Sequence, residues 1–314
     1  MKRTMTPDFD PTLFRGDLMN GKLRAAMDYL SQFPAQSERY ARYAARFQEG
    51  RCEAPTGDPQ CSAILLAYQA YYRDAFYLEQ SPEDAAQRLA ARLAEALDAD
   101  PKAGISGLED LAAEAFQSKG FHFLGGRTSG YYGPYIWRYE ERKHYTVQLP
   151  HGMQDYTVKL LDGFLMRSWL DYLSFGETGT GGWSNGDGLI HCVRSAYDLE
   201  SEAFQVSLLK HEAQHAYDLE RYKGITNPEL EYRAKLVELI YSRERNLLAR
   251  FAAELDPSPT ASGHGAAACR ITEGAERLLN VSRTKFPSLP IEAIQTAART
   301  LFADSTQEAL EKYG

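Results

Sequence analysis

The sequence predicts an α+β fold that is mostly helical, and three features of its 314 residues predict it. Apolar residues recur at helical spacing through the first 118 residues and again beyond about residue 200. Between these regions lies a stretch rich in Gly, Tyr, Trp and β-branched residues, cut by Gly, Pro and Asn turns. With 44% hydrophobic and 25% charged residues, the chain carries enough apolar material for one large domain or two ordinary ones.

The helical region of residues 1–118 rests on "GKLRAAMDYLSQF", "AQSERYARYAARFQEG", "CSAILLAYQAYYRDAFYLE" and "SPEDAAQRLAARLAEALDAD", whose Leu, Ala, Tyr and Phe fall on helical faces. Ser81 before Pro82 reads as an N-cap and first helical position. Tyr68, Tyr71, Tyr72 and Tyr77 make Tyr-rich helical faces, which suit core packing better than a ligand groove. From 119 to 195 the chain predicts a small mixed or antiparallel sheet built from "YYGPYIWRYE", "HYTVQLP", "YTVKLL" and "GLIHCV", with a helix at "FLMRSWLDYLSF". Helices are expected next at about 200–223 and 228–254. A loop, "LDPSPTASGHG", then leads to C-terminal helices within 263–314. Gly224 is the expected stop between the first two, with Asn227 as N-cap and Pro228 as the first helical residue.

Charge and composition exclude several roles. The net charge of −8 is spread along the chain, so neither nucleic acid nor an anionic membrane surface is an expected partner. The basic start "MKRTMTPDFDPTLF" lacks the apolar stretch of a secretory signal. No window approaches the roughly 18–20 apolar residues of a membrane helix. A cytoplasmic protein is expected. The scattered Cys52, Cys61, Cys192 and Cys269 read as reduced thiols, with a Cys52–Cys61 bridge left open. "GETGTGGWSNGDG" lacks the Lys-Ser/Thr of a phosphate-binding loop and the spacing of a dinucleotide fingerprint, so it reads as a turn before a strand.

The chemical signal is "HEAQH", residues 211–215. On a helix His211 and His215 project from one face a turn apart, and two such imidazoles can reach one zinc ion at about 2.0–2.1 Å. Glu212 lies about 100° round the helix, too far to be an equivalent ligand. It is placed instead to take a proton from water activated by the metal, as general base of a hydrolysis. Leu208, Leu209, Ala213, Gln214, Ala216 and Tyr217 are uncharged, as a helix buried on both sides of such a site requires.

Residues C-terminal to the motif divide the chemical possibilities. Six and three residues after His215 stand Arg221 and Asp218, where the metzincin branch would need a third His or Asp and a Gly. A helical hairpin comes instead, and its second arm "ELEYRAKLVELIYSRERNLLARF" can bring a carboxylate back beside the histidines. This arrangement resembles the gluzincin clan of zinc metallopeptidases, and "LEYRAK" looks like the clan's "E-[FY]-x-A-D" element. The resemblance covers about 45 residues, Gln205 to Arg250. It implies a single zinc ion held by His211, His215 and Glu231, an edge strand at "GGWSNGDGLIHCV" that grips extended substrate through Gly181, Gly182 and Trp183, and a Tyr or His that steadies the oxyanion. For that donor Tyr217, Tyr232, Tyr241 and His264 stand open. Where the clan often has Asp, this chain has Lys235, so support for a ligand histidine must come from Asp218 or Glu238. Glu238 shares the face of Glu231 and is the second candidate for third ligand. Glu231 and Lys235 also form the ordinary helical pair of opposite charges.

Three functions fit these residues: a zinc metallopeptidase acting on a peptide or protein, a helical partner-binding or catalytically silent zincin-like protein, and a zinc hydrolase of a non-peptide amide or ester. In the first, the zincin-like domain spans 119–314, with the 1–118 helices beside it. Oligomeric state is open.

Overall fold

A computed structural model describes residues 8–54, 56–184, 188–258 and 263–314. The fold is α+β and mostly helical. It divides into two compact units: residues up to Tyr139 with Asp162–Thr180, and Glu140–Leu161 with Gly181–Gly314. The helical region of 1–118 lies wholly within the first unit, which also takes in 119–139 and 162–180.

The first unit holds α1 (Pro11–Met19), α2 (Leu23–Ser31), α3 (Ser37–Tyr43), α4 (Pro59–Tyr72), α5 (Pro82–Leu97) and α6 (Gly104–Gln117). Ser81 caps α5 as its sequence predicts, its hydroxyl accepting from the Asp84 N–H at 3.0 Å. A three-stranded antiparallel sheet, β1 (His122–Leu124), β4 (Tyr135–Trp137) and β7 (Met166–Arg167), and a ribbon of β2 (Arg127–Thr128) with β3 (Tyr131–Tyr132) complete the unit with α7 (Ser168–Leu173). The tyrosine face is core: Tyr68, Tyr71 and Tyr72 are buried, and the Tyr68 hydroxyl donates to Glu109 Oε1 at 2.9 Å.

The second unit carries a four-stranded sheet in the order β5 (Tyr139–Leu149), β6 (Gly152–Asp162), β9 (Leu189–Val193), β8 (Gly182–Ser184). β9 runs parallel to β6 and antiparallel to β8. The expected single sheet over 119–195 is therefore a correction: its strands belong to separate sheets, because β1–β4 pair among themselves and with β7. The glycine-rich stretch leads into β8, and its residues 185–187 lie outside the described residues.

Behind this sheet pack the helices. A π-wound segment, Ala203–Lys210, runs straight into α8 (His211–Arg221), so the helix expected over 200–223 is present with a wider first half. Its Phe204, Leu208, Leu209, Ala213 and Ala216 are buried with Val158, Leu160 and Ile190 of the sheet and Leu236 and Val237 of α9 (Asn227–Tyr241). Each large apolar side chain so buried contributes ~1.5–3 kcal/mol. Alanines at 213 and 216 let the neighbours close in, and Tyr156 of β6 donates its hydroxyl to the Ala213 carbonyl at 2.9 Å. The N-cap of α9 is Thr226 rather than Asn227, because Thr226 and Glu229 close a capping box.

The helix expected over 228–254 is two helices. α9 ends at Tyr241, and α10 spans Leu247–Ala253. The break is made by Glu202, which accepts from the Ser242 hydroxyl at 2.6 Å and the Arg243 N–H at 2.8 Å, while Gln295 donates to the Ser242 carbonyl at 3.0 Å. Long-range hydrogen bonds thus replace the helical ladder there. α11 (Gly263–Leu279) and α12 (Ile291–Tyr313) close the unit against α9. Among the described residues no helix is long and apolar enough to cross a membrane, and all four cysteines are free thiols.

Candidate metal centre

The site is built on the hairpin of α8 and α9. Neither helix has a solvated face at this level: His211, Glu212, Glu231 and Glu238 are all 9% exposed or less. Holding that many ionisable groups out of water is costly unless they compensate one another.

His211, Glu212 and His215 offer ligand atoms that all lie within 4.8 Å of one another, close enough to share a metal ion. Glu231 faces them from α9. Its Oε2 is 3.5 Å from His211 Nε2, and its Oε1 is 3.9 Å from His215 Nε2. These separations are long for hydrogen bonds. The shorter of them is close to the ~3.4 Å between two donors bound tetrahedrally to one ion at ~2.0–2.2 Å. His215 Nε2 is moreover buried without a hydrogen-bond partner. Buried polar atoms left in this way call for an explanation, and a shared cation is one.

Glu238 takes a different place. Its Oε1 is 2.7 Å from His211 Nδ1, on the opposite side of the ring from Glu231. It stands behind the histidine as a supporting carboxylate, seven residues after Glu231 instead of four. Lys235, which occupies the fourth place, turns outward to Glu254 at 2.8 Å and to the Phe251 ring. Glu212 Oε2 is 3.6 Å from His215 Nδ1.

The electrostatics fit a cation. Burial alone would depress the basicity of His211, but Glu231 and Glu238 outweigh it and raise its pKa. Burial likewise opposes ionisation of Glu231, and His211 and His264 reverse that and hold its carboxyl low. Glu212 is also lowered against its burial, through His215. Glu212, Glu231 and Glu238 thus gather three buried carboxylates around two histidines.

The remaining candidates separate. His264, at the start of α11, puts Nδ1 3.0 Å from Glu231 Oε2. Gly263 permits this approach, since a Cβ there would lie 3.0 Å from Glu231 Cγ. Gly182 and Trp183 lie on β8, the end strand of the sheet, which packs against α8, with Gly181 just before it. Trp183 stacks on His191 at 5.0 Å. Three tyrosines have other neighbours: Tyr217 stacks on His151, Tyr232 lies under Arg270, and Tyr241 lies under Lys210. Asp218 touches neither His211 nor His215, because Arg233 and Gln214 take both its oxygens.

Two residues of this neighbourhood carry little or no signal in the sequence. Tyr197 reaches Gly181 with its hydroxyl, and burial, Cys192, Glu212 and Glu238 push its pKa up to about 12. Its only sequence signal is its position shortly before the site helix. Arg233 gives none, since buried arginines look like solvated ones on a helix.

No family model matches the chain, and neither a curated protein nor a solved structure matches it.

Proposed function

We propose that this chain is a zinc-dependent metallopeptidase of the gluzincin kind, working in the cytoplasm on a peptide or protein. One observation carries the reading: His215 Nε2 is buried without a hydrogen-bond partner, and the Glu231 carboxylate faces both it and His211 Nε2 at 3.9 and 3.5 Å. His211, His215 and Glu231 would hold the zinc. When bound, it would supply Lewis acidity, lowering the pKa of water and polarising a carbonyl.

The chain's own groups do the rest. Glu212, ionised and beside His215, accepts a proton from the attacking water and hands it to the leaving amine. Glu238 fixes the His211 ring through Nδ1. β8, the end strand of its sheet, offers the edge along which an extended substrate backbone adds as a strand.

The test is a peptide-library digest read by mass spectrometry, with the zinc-loaded chain beside its Glu212→Gln variant. Cleavage that falls by roughly 10²–10⁴ in the variant, at unchanged zinc content, supports the assignment. Cleavage equal in both would refute it.

A further inference from the structure

Asp218 and Arg233 are 0% and 2% exposed, and they meet through two bonds: Arg233 Nε to Oδ2 at 2.8 Å and Nη2 to Oδ1 at 3.0 Å. A buried ion pair of this kind is a poor way to gain stability, because desolvating two charges consumes most of what their attraction returns. Its two parallel bonds do fix distance and angle together.

The positions of the pair matter. Asp218 is three residues beyond His215 on α8, and Arg233 two beyond Glu231 on α9. The fork therefore joins the same two helices as the metal ligands, within a turn of them. Sliding α9 by one residue moves each side chain by about 1.5 Å along the axis and 100° around it. That slip breaks the fork and also carries Glu231 away from both histidines.

Both members are held from behind. Gln214, inside the HEAQH motif, donates to Asp218 Oδ1 at 2.9 Å. Arg233 Nη1 donates to Ser305 Oγ and Thr306 Oγ1 of α12, each at 3.0 Å, and the guanidinium lies 4.6 Å from the Phe302 ring centre. The C-terminal helix thus grips the arginine.

We propose that Asp218 and Arg233, anchored by Ser305 and Thr306 of α12, are positioning residues that set the register of the two metal-bearing helices. The inference rests on the assignment of the metal centre. The pair touches no ligand and no substrate. It acts by holding Glu231 opposite His211 and His215.

Three proteins test it: the parent, the apolar replacement D218L/R233M, and R233K, which keeps the charge and loses the fork. Zinc affinity is measured by competition with a chromophoric chelator. The visible spectrum of the cobalt-substituted chain reports ligand geometry, and melting is followed on the metal-free chains. D218L/R233M is expected to melt no lower than the parent. Zinc affinity is expected to fall about tenfold or more in both variants, with an altered cobalt spectrum. R233K alone decides the matter if the double variant does not fold. Parental affinity and an unchanged cobalt spectrum in a folded variant overturn the register role while leaving the metal centre standing. A parent chain that binds no zinc overturns both.

Discussion

Glu238 Oε1 lies 2.7 Å from His211 Nδ1, on the far side of the imidazole from the Nε2 that faces Glu231. A proton held between Nδ1 and this carboxyl would leave the Nε2 lone pair available to a metal ion. Glu238→Gln keeps the shape and removes the charge. Zinc affinity should fall by about 10–100-fold, the usual cost of losing such a supporting group. A chelator-competition titration measures it.

A metal that binds only the folded chain stabilises it by mass action. At a free zinc concentration a hundredfold above Kd, the gain is about 2.7 kcal/mol, enough to raise a melting transition by several degrees. Scanning the chelator-stripped chain with and without zinc should show this rise, and Glu231→Ala should abolish it.

Gly182 has no room for a side chain. A Cβ there would stand 2.5 Å from the His191 carbonyl oxygen and 2.5 Å from Leu208 Cδ1. The carbonyl belongs to the β8–β9 ladder and cannot retreat, and Leu208 lies three residues before His211 on the continuous helix. Gly182→Ala should destabilise the protein by about 1–3 kcal/mol, as overpacking does. Urea denaturation gives the number directly.

The site helix is legible in the sequence because its signal is local. His211, Glu212 and His215 need only the period of one helix to meet, and Glu231 needs only a hairpin closed near Gly224. Glu238 cannot be told from a ligand until the crossing of α8 and α9 is known, since both carboxylates share a face of α9. Spacing alone allows Asp218 to support a histidine; the buried guanidinium of Arg233, arriving from another helix, takes it instead. The break at Ser242 is invisible for the same reason. Its causes, Glu202 and Gln295, lie 40 and 53 residues away. The strands show as segments, but their allocation to separate sheets depends on pairings that no local pattern encodes.

At the other end of α9, Glu229 accepts from the Thr226 hydroxyl at 2.7 Å and Lys312 Nζ at 3.0 Å, and from the Tyr313 hydroxyl. Partial burial works against its ionisation, but these three donors prevail and hold its pKa at about 2. The folded-state value thus lies below the unfolded one of ~4.3, which sets the sign. The carboxylate's contribution is complete above about pH 4.3 and is lost as pH falls towards 2. Glu229→Gln should therefore cost on the order of 1 kcal/mol at neutral pH, and the gap to the parent should close between about pH 4.3 and 2. Denaturation at a series of pH values checks both the size and the direction.

Both the chemistry and the register of the helices turn on whether two histidines of α8 and one glutamate of α9 hold a single zinc ion. Zinc content of the untagged protein, measured by mass spectrometry with Glu231→Ala and Glu238→Ala alongside, decides it. One zinc per parent chain is expected, with loss of it in Glu231→Ala and weakened but detectable binding in Glu238→Ala. A parent without zinc, or full retention by Glu231→Ala, would show the three-ligand site to be wrong.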